Sequence, residues 1–238
     1  MIIYPAIDIK DGKCVRLKQG KFKDITIYND NPVQVAKDWE KKGAKYIHIV
    51  DLDGALKGKS FNREIIKEII LSINIPIQIG GGIRTLEDIT GYIDMGADKV
   101  IIGTKAIEDK RFLNDVLKKY RDNIVISIDA KDGLIAAHGW TSISSINAVD
   151  FIVELERMGI KTVVYTDISK DGMMKGPNFE MYSEIMDKSN IDIVASGGVS
   201  TIEDVFKLRE MDVYGCIIGK ALYNGNIDFE CLNKKIGQ

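Results

Sequence analysis

Gly81-Gly82-Ile83-Arg84-Thr85-Leu86-Glu87-Asp88 is answered 116 residues further on by Gly197-Gly198-Val199-Ser200-Thr201-Ile202-Glu203-Asp204. In each copy an Ile/Val-rich run enters the glycine pair. A Thr with Asp three residues later then reads as a capping box that starts a helix, with Asp in place of the usual Glu. The octapeptide is therefore a strand–turn–helix junction, and it occurs twice. Three further echoes surround it in the same order. Ile7-Asp8-Ile9-Lys10-Asp11-Gly12 returns as Ile128-Asp129-Ala130-Lys131-Asp132-Gly133, and Asp53-Gly54-Ala55-Leu56-Lys57-Gly58 returns as Asp171-Gly172-Met173-Met174-Lys175-Gly176. Ile101-Ile102-Gly103 returns as Ile217-Ile218-Gly219. Offsets of 116 to 121 residues divide the chain into halves of about 1–121 and 122–238, neither of which could bury its sheet alone.

Outward from these junctions, short Ile/Val-rich runs stand at 2–9, 46–51, 76–80, 99–102, 124–129, 162–166, 192–195 and 215–218. They alternate with amphipathic stretches at 32–42, 62–72, 86–95, 109–120, 146–158, 178–189, 202–211 and 228–236. Gly43, Gly96 and Gly159 follow three of these stretches, where a left-handed residue ends a helix. Eight strand–helix alternations with no Pro/Ser-rich linker predict one α/β domain over 1–238, a (βα)8 TIM barrel built from two (βα)4 half-barrel repeats. An open doubly wound sheet is the runner-up; the fourfold echo favours closure.

Composition narrows the function classes. The chain is 45% hydrophobic and 29% charged, enough apolar surface for a core and too much for a disordered chain. With 33 basic and 35 acidic side chains, the net charge of −2 gives no reason to expect nucleic acid or an anionic membrane as partner. No apolar run reaches the ~18 residues of a membrane span. The N-terminus shows no basic n-region or cleavage site, and Cys14, Cys216 and Cys231 are odd in number and scattered. The expectation is a cytoplasmic chain with reduced thiols. A closed barrel needs no second copy to bury its core, so a monomer is expected.

The echoed glycines carry the first chemical signal. A strand ending in Gly-Gly before a capped helix offers backbone N–H donors and a positive dipole end to phosphate. Gly197-Gly198 and Gly219-Lys220 occupy the usual barrel phosphate position after the seventh and eighth strands. Gly81-Gly82 and Gly103-Thr104 supply a second copy, so the expected ligand is elongated with a phosphate at each end. The competing structural reading is that these glycines only allow tight turns. Asp8 and Asp129 form the second signal. Strand parity puts Ala6 with Asp8, and Ser127 with Asp129, on the barrel's inner face, and the first and fifth of eight strands are opposed. Two opposed carboxylates suit one acid and one base, although Asp11, Asp51, Asp132 and Asp167 are echoed too and symmetry alone does not choose among the six. His48 and His138 join no metal-ligand cluster, and no nucleophile elbow, Walker A loop or Rossmann fingerprint is present. Neither a metal nor a redox cofactor is expected. Trp140 could stack on a planar ring or anchor its loop, and Arg84 could serve a phosphate or point to solvent. The long, glycine-bearing loops at about 18–23, 133–145 and 169–175 are expected to close over a ligand.

Together, Pro5-Ala6-Ile7-Asp8, His48-Ile49-Val50-Asp51-Leu52-Asp53-Gly54-Ala55, Gly80-Gly81-Gly82-Ile83-Arg84, Gly139-Trp140, Tyr165-Thr166-Asp167-Ile168-Ser169-Lys170-Asp171-Gly172, Gly176-Pro177-Asn178, Ala195-Ser196-Gly197-Gly198-Val199 and Gly219-Lys220-Ala221-Leu222-Tyr223 resemble the phosphoribosylformimino-aminoimidazole carboxamide ribotide isomerase family of histidine biosynthesis. The resemblance spans essentially the whole chain. It implies a two-fold-repeated barrel that isomerises a bisphosphorylated aminoaldose (ProFAR) to its aminoketose (PRFAR) by an Amadori rearrangement, without a cofactor. By resemblance, Asp129 would protonate the ribose ring oxygen, Asp8 would take the proton from the sugar C2, Thr166 would orient the acid, and Trp140 would stack on the aminoimidazole. Asp167 and Ser196, inside the matched motifs, are counted with the substrate-binding candidates. The sister family, the imidazole glycerol phosphate cyclase, typically has Cys where Ala6 stands here and lacks the 50–55 run. Two more readings compete with the isomerase: a dual-specificity enzyme that also takes phosphoribosyl anthranilate, and a non-catalytic phosphosugar-binding barrel.

Overall fold

A computed structural model describes residues 1–18 and 20–237. Eight strands form the barrel: β1 (Ile2–Lys10), β4 (Ile47–Asp51), β5 (Ile77–Gly80), β6 (Lys99–Ile102), β7 (Ile124–Lys131), β10 (Thr162–Asp167), β11 (Asp192–Ser196) and β12 (Gly215–Ile218). They run parallel in that order, β12 returns to β1, and β10 pairs with β7, so the sheet closes on itself. The open doubly wound alternative is thereby excluded. Each barrel strand lies within a residue or two of the run that predicts it. No helix among the described residues is long and apolar enough to cross a membrane.

Alternation along the strands sorts the core into two layers. Tyr4, Ala6, Tyr46, Ile101, Val125, Val164, Val194 and Ile217 fill the barrel interior. Ile7, Ile9, Ile49, Ile79, Ile126 and Ile128 face the surrounding helices in the larger core. This is the parity expected for Asp8 and Asp129, which therefore project inward with Ala6 and Ser127. The helix signals hold as well. Thr85 and Thr201 accept from the N–H of Asp88 and Asp204, whose carboxylates bond back to the two cap residues. Gly43, Gly96 and Gly159 all have left-handed φ angles.

Two segments expected to be irregular loops are instead β-hairpins. β2 (Lys13–Lys18) pairs antiparallel with β1 and with β3 (Lys21–Asn29). In the second half, β8 (Leu134–Ala137) pairs with β7 and with β9 (Ser142–Asn147). The cause is local: Asp11-Gly12 and Asp132-Gly133 all have positive φ, the backbone of the two-residue turn that matches strand twist. Strand β9 also takes Ile146 and Asn147 from the predicted helix, which begins at Ala148. Within the first expected closing segment, Gln19 lies outside the described residues.

Candidate active site

The C-terminal strand ends surround a cavity of about 300 Å³. β1 and β7 stand on opposite sides of the ring, and Asp8 and Asp129 both line the space between them. Gly81, Gly82, Arg84, Gly103 and Thr104 border it in the first half, and Ser196, Gly197, Gly198, Gly219 and Lys220 border it in the second. Trp140 and Thr166 complete the predicted set. Asp167 does not belong to it. Its Oδ1 accepts from Ser169 N at 2.9 Å and Ser169 Oγ at 2.6 Å, and its Oδ2 accepts from Asn178 Nδ2 at 2.7 Å. A buried carboxylate engaged this way ties the loop after β10 to the next helix start and is turned away from the ligand space. Its echo does the same work. Asp51 accepts from Gly54 N, Phe61 N, Asn62 N and Asn62 Nδ2 at 2.7–3.0 Å.

The two inward carboxylates differ in their partners. Arg16 on β2 donates from Nη1 to Asp8 Oδ2 at 2.8 Å, and its Nη2 donates to the Ala6 carbonyl. Trp140 donates its indole N–H to Asp129 Oδ2 at 2.8 Å, and Ser127 Oγ lies 3.4 Å from Oδ1. Thr166, in register with Asp129, adds a hydroxyl. Burial raises the pKa of Asp8 above the usual carboxylate range against the pull of Arg16. Burial raises Asp129 as well, against Trp140, Thr166 and Ser127. A third carboxylate, Asp171, enters the wall from the loop after β10. Burial, with Asp8 and Asp129 nearby, pushes it up to about 6.

Trp140 sits in the turn of the second hairpin, where His138, Gly139 and Trp140 all have left-handed φ. Two non-glycine residues in that region store backbone strain at the cavity rim. The first hairpin reaches the same place: a side chain at Gly20 would collide with the Trp140 ring. The hairpin tips thus meet over the mouth, with the indole between them and its N–H on Asp129.

The glycine cradles serve packing and the cavity together. A side chain at Gly82 would strike the Gly54 carbonyl, and one at Gly198 would strike the Gly176 carbonyl, so both turns need glycine for close backbone approach. Capping also uses up donors expected to be free. Asp88 takes the N–H groups of Arg84 and Thr85, and Asp204 takes those of Ser200 and Thr201. The open amides therefore lie in the glycine turns and at the one-turn helices after Gly103 and Gly219. No turn or loop carbonyl among the described residues takes the N–H of Gly82, Gly103, Gly198 or Gly219. Lys220 donates to the Gly172 carbonyl at 3.1 Å, and Thr104 Oγ accepts from His138 N at 3.2 Å, joining each cradle to a mouth loop. Arg84 lies against the Gly58 turn.

Among the ionisable residues lining the cavity, sequence reasoning missed Arg16, His48, Lys105, His138 and Asp171. His48 could have been found by parity, since Ala6 and His48 are register partners. Arg16 could not, because Val15 is the residue paired with Asp8 and the long Arg16 side chain reaches Asp8 from the next position. His48 Nδ1 meets Gln78 Nε2 at 2.9 Å, and burial beside Arg16 lowers its pKa to about 3, so the imidazole is neutral. Among the described residues, no three His, Cys, Asp or Glu side chains are grouped to hold a metal.

Fold and site together define a two-fold (βα)8 barrel with opposed carboxylates between two glycine-lined subsites. The chain belongs to the histidine biosynthesis protein family, whose family model matches residues 2–228. It is 51% identical over 230 residues to a protein of Ruminiclostridium cellulolyticum, covering 97% of this chain and 98% of the relative. It is 52% identical to a protein of Oceanobacillus iheyensis and 50% identical to one of Clostridioides difficile, in both cases over 97% of this chain and 96% of the relative. Each is named 1-(5-phosphoribosyl)-5-((5-phosphoribosylamino)methylideneamino) imidazole-4-carboxamide isomerase.

Proposed function

We propose that this chain is an isomerase of histidine biosynthesis, catalysing the aminoaldose-to-aminoketose step for which its relatives are named. The observation that carries the mechanism is the pair Asp8 and Asp129, opposed across a cavity with a glycine cradle at either end. The two cradles hold the two phosphates and stretch the substrate across the mouth. A carboxyl group protonates the ribose ring oxygen as the C1–oxygen bond breaks, leaving a C1=N Schiff base. Asp8 then removes the C2 proton, and the electron pair forms an enaminol. That intermediate tautomerises, placing a proton on C1 and a carbonyl at C2. Asp129 is the assigned acid, its pKa raised by burial and its orientation held by Thr166.

A second reading of the acid rests on Asp171. Its pKa of about 6 leaves a usable protonated fraction near neutrality, while Trp140, Thr166 and Ser127 all favour ionised Asp129. Both readings keep Asp8 as base. The protein is proposed to act in the cytoplasm as a monomer on this small molecule, without nucleic acid or membrane.

A spectroscopic assay with the histidine-pathway aminoaldose, run beside phosphoribosyl anthranilate, tests the activity. Turnover of the aminoaldose alone supports a single-function isomerase, and turnover of both supports the dual-specificity form. Binding without turnover would leave a phosphosugar-binding barrel.

A further inference from the structure

The two half-barrels match at Asp8 and Asp129 and part company one residue beyond the partners of these carboxylates. Val15 on β2 is the register partner of Asp8, and Ala136 on β8 is that of Asp129. The next residue is Arg16 in the first hairpin and Ala137 in the second, at matched positions on matched strands. Arg16 is clamped in place. It bonds Asp8 Oδ2 at 2.8 Å and the Ala6 carbonyl, and its guanidinium lies 5.1 Å over the Tyr223 ring. The Tyr223 hydroxyl also donates to the Ala6 carbonyl, at 2.8 Å. On the other side, the hydrogen-bond partners of Asp129 among the described residues are neutral: Trp140, Ser127 and Thr166.

We propose that Arg16 is a positioning residue that sorts two symmetric carboxylates into base and acid: its charge keeps Asp8 ionised, and the alanine at its matched position leaves the opposite side free to carry a proton. The inference rests on the isomerase reading above and holds whether the acid is Asp129 or Asp171. A cation bonded to a carboxylate favours its charged form, while neutral donors do so more weakly. Among the described residues, the other titratable groups near this pair are Asp171, the Cys14 thiol, neutral His48 and Tyr223, and none of these supplies a positive charge. Lys220, also in the cavity, turns its ammonium to the Gly172 carbonyl. Asp171 opposes Arg16 by disfavouring a second negative charge, so removing Arg16 leaves Asp8 buried beside another carboxylate.

The test follows the Asp8 carboxyl carbon by 13C NMR titration in the full-length protein, assigned by its loss in Asp8→Asn, with the pH profile of kcat/KM beside it. Arg16→Met should raise the Asp8 midpoint and the acidic limb of the profile together, by about 1–3 pH units. Arg16→Lys should restore most of the shift. Arg16→Gln keeps a hydrogen-bond donor without the charge and should behave like Arg16→Met, which keeps the test open if the methionine variant does not fold. An unmoved Asp8 midpoint in an active Arg16 variant overturns the inference alone, as does activity lost equally at every pH. Absence of turnover in the parent enzyme would instead overturn the isomerase reading and the role of base with it.

Discussion

At Asp8 and Asp129, the same residue type in the same strand position meets different surroundings, and those surroundings set the chemistry each can perform. Replacing either by Asn keeps size and most hydrogen bonding but removes proton transfer. Asp8→Asn should cut kcat by about 10²–10⁴ with little change in substrate affinity or Tm, because the cradles carry the binding. Asp129→Asn should do the same if it is the acid, and steady-state kinetics with Asp171→Asn alongside assign that role to whichever loss is larger. A double variant of base and acid should be far less than additively impaired, since one intact group cannot finish the reaction alone. Asp11→Asn and Asp132→Asn are the controls. Both residues have left-handed φ in hairpin turns, so kcat should stay within about tenfold. A near-normal kcat for Asp8→Asn would remove the base from the scheme.

Among the elements, the barrel strands and helices were legible because their signals are local and repeated. A branched run of four to eight residues, a Thr with Asp three places on and a glycine after the last turn each state one physical requirement. The hairpins were harder to read. Asp11-Gly12 and Asp132-Gly133 announced tight turns, but Lys13–Lys18 and Leu134–Ala137 are too short and mixed to stand out as strands. Their pairing is supplied by the neighbouring barrel strands. Asp167 misled for the opposite reason: its motif was clear, but motif matching cannot show which way a carboxylate turns. Duplication also exposes an unequal helix end. Ala97 N bonds Tyr92 O across Gly96, and Val213 N bonds Leu208 O across Asp212, 116 residues later. Gly96 has φ 104° and Asp212 has φ 60°, so a side chain occupies a turn where its twin has none. Asp212→Gly should therefore raise unfolding stability by up to about 1 kcal/mol, read from denaturant midpoints at unchanged m-value. A loss of stability would mean that the aspartate side chain compensates its own strain.

Over the whole molecule, the two halves share a backbone plan but not an interior. His48 and Gln78 of the first half correspond, 116 residues on, to Val164 and Val194 of the second, and all four point into the barrel. The polar pair is satisfied internally and sits beside Arg16, while the valines pack in the apolar interior. This polar pair should therefore give the first half a pH dependence of folding that the valines of the second half lack. Folded His48 has its pKa lowered to about 3, by burial first and Arg16 second, whereas the unfolded side chain titrates near 6.5. Below pH ~6.5 the unfolded chain binds a proton that the folded chain refuses. The stability attributable to this group then falls by about 1.4 kcal/mol for each pH unit until pH nears 3. Asp171 works in the opposite sense. Raised to about 6, it takes its proton in the folded state before it would in the unfolded one, so it adds stability as pH falls from about 6 towards 3.8. Comparison between variants cancels that contribution. The double variant His48→Val with Gln78→Val installs the second half's own solution and leaves no orphaned amide. Urea unfolding at pH 7.5, 6.0 and 4.5 should show the parent losing stability relative to this variant by about 2.7 kcal/mol at the lowest pH. Parallel curves for the two proteins would mean that His48 accepts its proton inside the barrel, and that Arg16 does not hold a charge against it.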